Sequence, residues 1–369
     1  MISYHIFNKV VQFHFHNEEG EKLKPIILEN FSLYEQVDDL RRPDLIIHLG
    51  SNMSQIPIKA VNPSLHFELE NGFRSLYPKI TVDLAKEGKT VITKIGLQNV
   101  KNPFIAYLKK LNNKQYHSIS ERIAQIVYEL VLVPSIYFDN SKFLLHSSAF
   151  KRQDGGAILI GGTGGVGKTS IEIELCMNRG YTFIADDISV IDDDGYVWPN
   201  LSFPKIYAYN LKNNHKLKSL IFKQRSLHDK LAWKFKLLFS GAAGVRRTIS
   251  PVEAYTDYEK NRVKFENYFI LVKKNIKKLS LEKIDAQIAT EMSIQIMQTE
   301  YAAFNNHILW HEFNCKALNI DPIIKLETVF NQWKKQCLKV LKNTNCYQIN
   351  IPLNMDHKVF MANVSELLN

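Results

Sequence analysis

Gly162-Thr163-Gly164-Gly165-Val166-Gly167-Lys168-Thr169 decides how this chain is read. The stretch meets G-x-x-x-x-G-K-[ST] in full. Glycines let successive backbone N–H groups turn inward onto phosphate oxygens, and a helix starting at the lysine adds its positive end. In such a loop Lys168 reaches the outer phosphates and the Thr169 hydroxyl ligates a magnesium ion, with Ser170 next along the helix start. The flanks agree. Gly156 to Gly161 is an apolar run of strand length, and a helical stretch from Lys168 to Asn178 is stopped by Arg179-Gly180. The predicted ligand is a nucleotide.

Further out, Tyr181 to Ala185 returns as a strand and ends on Asp186-Asp187. Strand ends on this edge of an α/β sheet face the ligand crevice. One carboxylate can serve Mg2+ and the other can take a proton from an attacking hydroxyl; a solvated acidic turn is the plainer alternative. Upstream, Phe143–Phe150 and Gly156–Gly161 read as a hairpin centred near Gln153 and Asp154. That sets His146 across from Ile160 or Gly161, beside the mouth of the loop, although a lone strand histidine is as readily structural. Downstream, Arg246-Arg247 stand in Gly244-Val245-Arg246-Arg247-Thr248-Ile249-Ser250-Pro251. A guanidinium there would stabilise a phosphoryl group in flight, whereas composition alone reads the pair as solvated surface.

The remainder of the chain frames this core. At 369 residues, 45% hydrophobic and 23% charged, it has the composition of a globular protein long enough for two domains. Residues 1–117 read as a smaller α+β lobe, with strands in Ser3–Phe15, Leu45–Gly50 and Thr90–Ile95 and no chemical constellation. Residues 118–369 read as the catalytic domain with a helical C-terminal extension. Ser118-Ile119-Ser120-Glu121 offers a capping box for a helix through Leu132, stopped by Pro134. Later helices are predicted at about 283–299 and 322–342 and from about 356, with strands at Glu266–Val272 and Tyr347–Ile351.

A net charge of +10 invites a nucleic-acid reading. The excess gathers at 212–236, however, and no helix-turn-helix, zinc-finger or RRM signature accompanies it. A solvated face is the first reading of that stretch and a docking surface for an acidic or amphipathic partner the second, with Trp233, Phe235 and Phe239 interleaved. Cys176, Cys315, Cys337 and Cys346 show no C-x-x-C spacing and no nearby histidine pair, so they read as neither a zinc site nor a disulfide framework. No secretory signal and no membrane-spanning run are apparent, which predicts a cytoplasmic protein.

The order His146-Ser147-Ser148, then the phosphate loop, then Ile184-Ala185-Asp186-Asp187 resembles the catalytic core of the HPr kinase/phosphorylase family. That family shares its nucleotide-binding architecture with phosphoenolpyruvate carboxykinase. Within it, the chain looks most like kinases found beside peptide natural-product genes, including lasso-peptide tailoring kinases, which carry an N-terminal lobe and an Arg-Arg-x-Ile/Val-Ser-Pro segment. The resemblance is specific over roughly residues 141–195. It implies an α/β, P-loop kinase fold using ATP and Mg2+, with a serine of a peptide or small protein, such as a precursor peptide, as acceptor. Under this reading Gly162 to Ser170 bind the nucleotide, Thr169 and Asp187 organise the metal, Asp186 is the base with His146, and Arg247 stabilises the transferred group, with the reverse assignment of the two aspartates as the alternative. Thr169-Ser170 replaces the Ser-then-acid pair that follows the lysine in that family, and Ser147 replaces a glycine. HPr itself is thereby disfavoured as acceptor. A small-molecule kinase, a nucleotide-binding regulator without turnover and a nucleic-acid-dependent ATPase are the alternatives, and self-association is left open.

Overall fold

Phe7 (φ 54°) and Asn8 (φ 60°) are both left-handed, so the N-terminal alternation folds back on itself through a tight hairpin turn. The stretch Ser3–Phe15 is thus two strands, β1 (Ile2–Ile6) and β2 (Lys9–Phe15), paired antiparallel. The computed structural model describes residues 1–37, 42–50, 58–62, 66–77, 80–97, 119–212, 214–223 and 225–368. Ser118, the first residue of the predicted capping box, lies outside them. The protein is mixed α/β with several sheets and helices. It divides into two compact units that interleave along the chain: Met1–Tyr107, Ser120–Asn140 and Tyr301–Gln332 form unit 1, and Leu108–Ile119, Ser141–Glu300 and Trp333–Asn369 form unit 2. The division expected from sequence, at 117/118, had placed 120–140 and 301–332 with the catalytic part.

Unit 1 continues with β3 (Glu35–Gln36), β4 (Leu45–Leu49), β5 (Ala60–Asn62), β6 (His66–Glu68), β7 (Gly72–Tyr77), β8 (Ile80–Glu87) and β9 (Thr90–Leu97). They form one sheet in the order β3-β1-β2-β4-β9-β8-β7-β6-β5, with β4 parallel to both β2 and β9. Helix Asn17–Phe31 packs on β2 and β4. Phe13, Phe31, Leu45 and Ile47 are fully buried, each worth about 1.5–3 kcal/mol in transfer from water. Tyr128 stacks on Phe31 at 4.5 Å, within the segment that continues helix Ile119–Val127 as a π turn over Tyr128–Leu132.

Helix Ala302–Leu318, not foreseen from the sequence, packs on β5, β6 and β7. Its buried face includes Asn305, His307, His311 and Asn314. Two of these polar groups meet buried partners: Asn305 Oδ1 accepts from the Tyr137 hydroxyl at 3.0 Å, and His311 meets Glu68. His311 Nδ1 donates to Glu68 at 2.9 Å while its Nε2 accepts the Ile323 N–H at 3.1 Å, so both ring nitrogens are used. Burial opposes ionisation of Glu68, but the hydrogen bond from His311, with the His66 ring 3.7 Å away, outweighs it and holds its carboxyl below the usual range.

In unit 2 the strands are β10 (Lys142–Leu145), β11 (Ser147–Lys151), β12 (Ala157–Gly161), β13 (Thr182–Ala185), β14 (Ser189–Asp192), β15 (Tyr196–Trp198), β16 (Lys205–Tyr207), β17 (Arg246–Thr248), β18 (Val263–Lys274), β19 (Ser280–Lys283) and β20 (Asn345–Pro352). The main sheet runs β10-β14-β15-β18-β12-β11-β13, with β20 also on β18 and β19 on β20. β12 and β20 each pair parallel with β18, and the three form a buried centre: Leu159, Ile160, Ile270 and Ile349 have no exposed surface. The helices fall at Ala286–Glu300, Leu326–Leu341 and His357–Leu367, close to the predicted positions. Among the described residues no helix is long and apolar enough to cross a membrane.

Candidate functional site

Three strand ends meet at the glycine-rich loop. β11 is antiparallel to both its neighbours, β12 and β13. The C-terminal ends of β12 and β13 and the N-terminal end of β11 therefore lie along the same edge. The loop Gly162–Gly167 leaves that edge from β12, Asp186-Asp187 leave it from β13, and His146 enters it before β11. The register sets Ser147 opposite Gly161, so His146 falls one residue further along than the hairpin reading placed it. His146 is also the corner at which the chain exchanges partners, since β10 before it pairs with β14. The single strand Phe143–Phe150 predicted from sequence is two strands because of that corner.

After the loop, helix Lys168–Ile173 starts at the lysine, and a π turn over Glu174–Asn178 carries it to the predicted end. Gly167 has φ +111°, and a Cβ there would meet the Phe360 ring at 2.6 Å, so only glycine suits the position. Lys168 Nζ donates to the carbonyls of Gly162 (2.8 Å) and Thr163 (3.0 Å), which holds the ammonium over the loop. Burial lowers its pKa, against the pull of Asp187 and Asp186. The Gly164 N–H donates to Glu300 Oε1 at 2.7 Å, so this loop amide already presents itself to an anionic oxygen. The Ser170 hydroxyl accepts from Asn210 Nδ2 at 2.8 Å.

The two aspartates differ. Asp186 points inward: Oδ1 accepts from Thr169 Oγ1 (3.2 Å) and Ser148 Oγ (3.4 Å), and Oδ2 accepts the Lys205 N–H (3.2 Å). Burial and the neighbouring charge of Asp187 raise its pKa. Asp187 has φ 67°, a left-handed conformation uncommon for aspartate, and its side chain faces the other way. Its Oδ2 pairs with Lys205 Nζ at 2.6 Å, and its Oδ1 lies 3.6 Å from His146 Nδ1. Burial works against its ionisation, but the charges of Lys205 and then Lys168 prevail and hold the carboxyl far below the usual carboxylate range. The sequence reading gave Asp187 to Thr169 and the metal; the carboxylate bonded to Thr169 is that of Asp186.

His146 is 7% exposed, and among the described residues neither ring nitrogen has a hydrogen-bond partner. Burial, the largest influence, lowers its pKa, so the ring is neutral at pH 7. Behind Asp186 sits Glu172, fully buried and accepting from the Tyr255 hydroxyl. Burial first, and then the charge of Asp186, push its pKa well above normal.

Lys205, Glu172 and Glu300 were not singled out from the sequence. Lys205 arrives through the β16–β17 ladder, in which it pairs with Thr248 and Tyr207 pairs with Arg246. Residues opposite one another share a face, so Lys205, Tyr207 and Arg246 lie on the side towards the aspartates. Tyr209, stacked on Tyr207 at 5.3 Å, feels the charges of Asp186, Arg246 and Asp187 together. Arg247 takes the opposite face. Its Nη2 donates to Asp229 Oδ1 at 2.7 Å, its guanidinium lies 5.2 Å from the Trp233 ring, and it is 1% exposed. Strand alternation thus sets Arg246 on the face towards the aspartates and leaves Arg247, the arginine singled out from sequence, in a buried ion pair.

A cavity of about 780 Å³ opens beside Gly165, Val166, Gly167 and Ser170. Tyr209, Trp233, His357 and Phe360 supply aromatic walls, and Lys212, Lys218 and Lys273 supply positive charge. Helix Leu227–Ser240 contributes Trp233 and Leu237 to this cavity. Elsewhere on the same helix Leu227, Leu231, Phe235 and Leu238 are exposed, at a spacing that makes an apolar stripe.

No protein-family model matches the chain. Segregation and condensation protein A of Mycoplasmoides gallisepticum is 26% identical to it over 112 residues, which is 30% of this chain. The matched stretch spans 18% of that protein's length.

Proposed function

We propose that the chain is an ATP- and Mg2+-dependent cytoplasmic kinase of the HPr kinase/phosphorylase type. On this reading unit 2 has the phosphoenolpyruvate-carboxykinase-like nucleotide fold, and the γ-phosphate passes to a serine hydroxyl of a peptide or small protein. The observation that carries the reading is the meeting of Lys168, Thr169, Asp186, Asp187 and His146 at one sheet edge. Binding a nucleotide needs the loop and the lysine; it does not need an unpartnered imidazole beside a second carboxylate.

The loop amides and Lys168 hold the phosphates. The Thr169 hydroxyl and the Asp186 carboxylate are hard oxygen donors bonded to each other, with the protonatable carboxyl of Glu172 behind them. That set fits Mg2+, and the buried excess of acid is what a cation would relieve. When bound, the ion would neutralise charge on the phosphates. The proton leaving the acceptor hydroxyl goes to the Asp187–His146 pair. Lys205 keeps Asp187 ionised but weakly basic, so the neutral imidazole supplies the proton affinity. Arg246, rather than Arg247, is the guanidinium for the transferred group.

A peptide acceptor is favoured by the basic, aromatic-walled cavity and the exposed apolar stripe of helix Leu227–Ser240, which suit an acidic amphipathic chain better than a sugar. Incubation with γ-labelled ATP, Mg2+ and serine-containing acidic peptides tests this. Transfer of label that is lost in Lys168→Ala is expected. Tight ATP binding with neither hydrolysis nor transfer to any peptide would replace the kinase with a nucleotide-binding regulator.

A further inference from the structure

The parallel pairing of β2 with β4 sets His14 directly opposite His48. Residues two apart on a strand share a face, and His16, immediately after β2, follows His14 onto it. The three rings gather there: His14–His48 centroids are 4.9 Å apart, His16–His48 5.0 Å and His14–His16 6.3 Å. One ring nitrogen from each lies within 4.8 Å of the others.

The hydrogen bonding around them is ordered as in a ligand set. Gln12 uses its amide N–H on Ser3 Oγ (3.4 Å), which turns its carbonyl oxygen to His14 Nε2 (2.6 Å). A carbonyl only accepts, so His14 Nε2 carries the proton and Nδ1 keeps a lone pair. Metal-bound histidines are held in this way, with the far nitrogen donating to a carbonyl or carboxylate. His16 Nε2 and His48 Nδ1 face each other at 2.8 Å across a single proton. Moving that proton to the other nitrogen of its ring leaves two lone pairs converging on one point. Tetrahedral coordination at zinc–nitrogen bond lengths separates donor atoms by about 3.3 Å, which small ring rotations reach from here.

We propose that unit 1 binds a divalent transition-metal ion of the zinc class through His14, His16 and His48. Lys94 of β9 stands opposite His48 of β4 in the parallel register and brings positive charge to the same face. A cation bound by charge to oxygens, such as Mg2+ or Ca2+, is therefore disfavoured, whereas imidazole nitrogens retain a borderline-soft ion. His16 is exposed and His14 and His48 are partly so. Three protein ligands with an open side leave a coordination position for water or an incoming anion, as in sites that exchange ligands. The buried Glu68–His311–Cys315 cluster is a poorer host, because both nitrogens of His311 are already committed.

The test is a zinc titration of chelator-treated full-length protein, followed by calorimetry in excess Mg2+ and by X-ray absorption at the zinc edge. One zinc per chain is expected, in a shell of nitrogen and oxygen only. His16→Ala, at an exposed position that the fold does not need, should weaken binding by at least tenfold. Gln12→Leu should weaken it by about tenfold with all three ligands intact. Absence of binding, equal binding by His16→Ala, or sulfur in the zinc shell would each overturn the assignment.

Discussion

Thr169 donates its hydroxyl to Asp186 and not to Asp187, at 3.2 Å. Adjacent in sequence, the two carboxylates are turned apart by the left-handed backbone of Asp187, so their substitutions have different consequences. Asp186→Asn is expected to raise the Mg2+ concentration needed for half-maximal activity. Asp187→Asn and His146→Gln are expected to lower kcat by about 10²–10⁴-fold, the usual range for general-base removal, with ATP affinity little changed. Initial rates over a Mg2+ series, together with ATP binding by calorimetry, separate the two. Identical Mg2+ dependence in all three variants would refute the division of roles.

The two arginines separate in the same manner. Arg247 balances Asp229, which is fully buried and also accepts from Arg225 at 3.2 Å. Arg247→Ala leaves that carboxylate short of one partner and should cost about 3 kcal/mol in urea unfolding. Arg246→Ala should leave the unfolding midpoint nearly unchanged while lowering kcat/KM by about a hundredfold, as expected for loss of a group that meets transition-state charge.

Lys205 holds Asp187 ionised. In Lys205→Met the Asp187 carboxyl loses its strongest counter-charge and its pKa rises. The acid limb of the kcat/KM–pH profile should therefore move to higher pH than in the wild type. An unmoved limb accompanied by a lower plateau would mean that Lys205 serves the phosphates and not Asp187.

His307 in unit 1 has its pKa lowered to about 4 by burial and by His66, from an ordinary value of 6.5. Between those values the unfolded chain binds a proton that the native chain refuses. Stability is therefore full above pH 6.5 and declines as pH falls towards 4. Urea melts at pH 7 and pH 5 should show this loss, and His307→Gln should make it smaller.

The local parts of the site were legible. Glycine spacing, the apolar strand before it and the helix after it are properties of neighbouring residues, and Asp186-Asp187 mark a strand end. What escaped depends on pairing between distant segments. Lys205 reaches Asp187 because β16 pairs with β17, and the choice between Arg246 and Arg247 rests on which face of that ladder each occupies. Helix Ala302–Leu318 was missed because its buried face carries histidines and asparagines, so no apolar period shows in the sequence. Cys315, read from spacing as no part of a metal site, meets Glu68 and His311 in a buried cluster, and His14 and His48 become neighbours only through a parallel register; a scan for spacing sees neither.

The interleaving of the two units has a consequence for synthesis. β6 and β7 emerge early from the ribosome, yet helix Ala302–Leu318, which covers them, is made more than two hundred residues later. The parallel partner of β18, strand β20, comes later still. Neither unit can complete its packing until residues 302–352 are made. The nascent protein must carry β5, β6 and β7 without their covering helix until Leu318 is made, and a ribosome stalled near residue 300 would hold two unfinished units rather than one finished lobe.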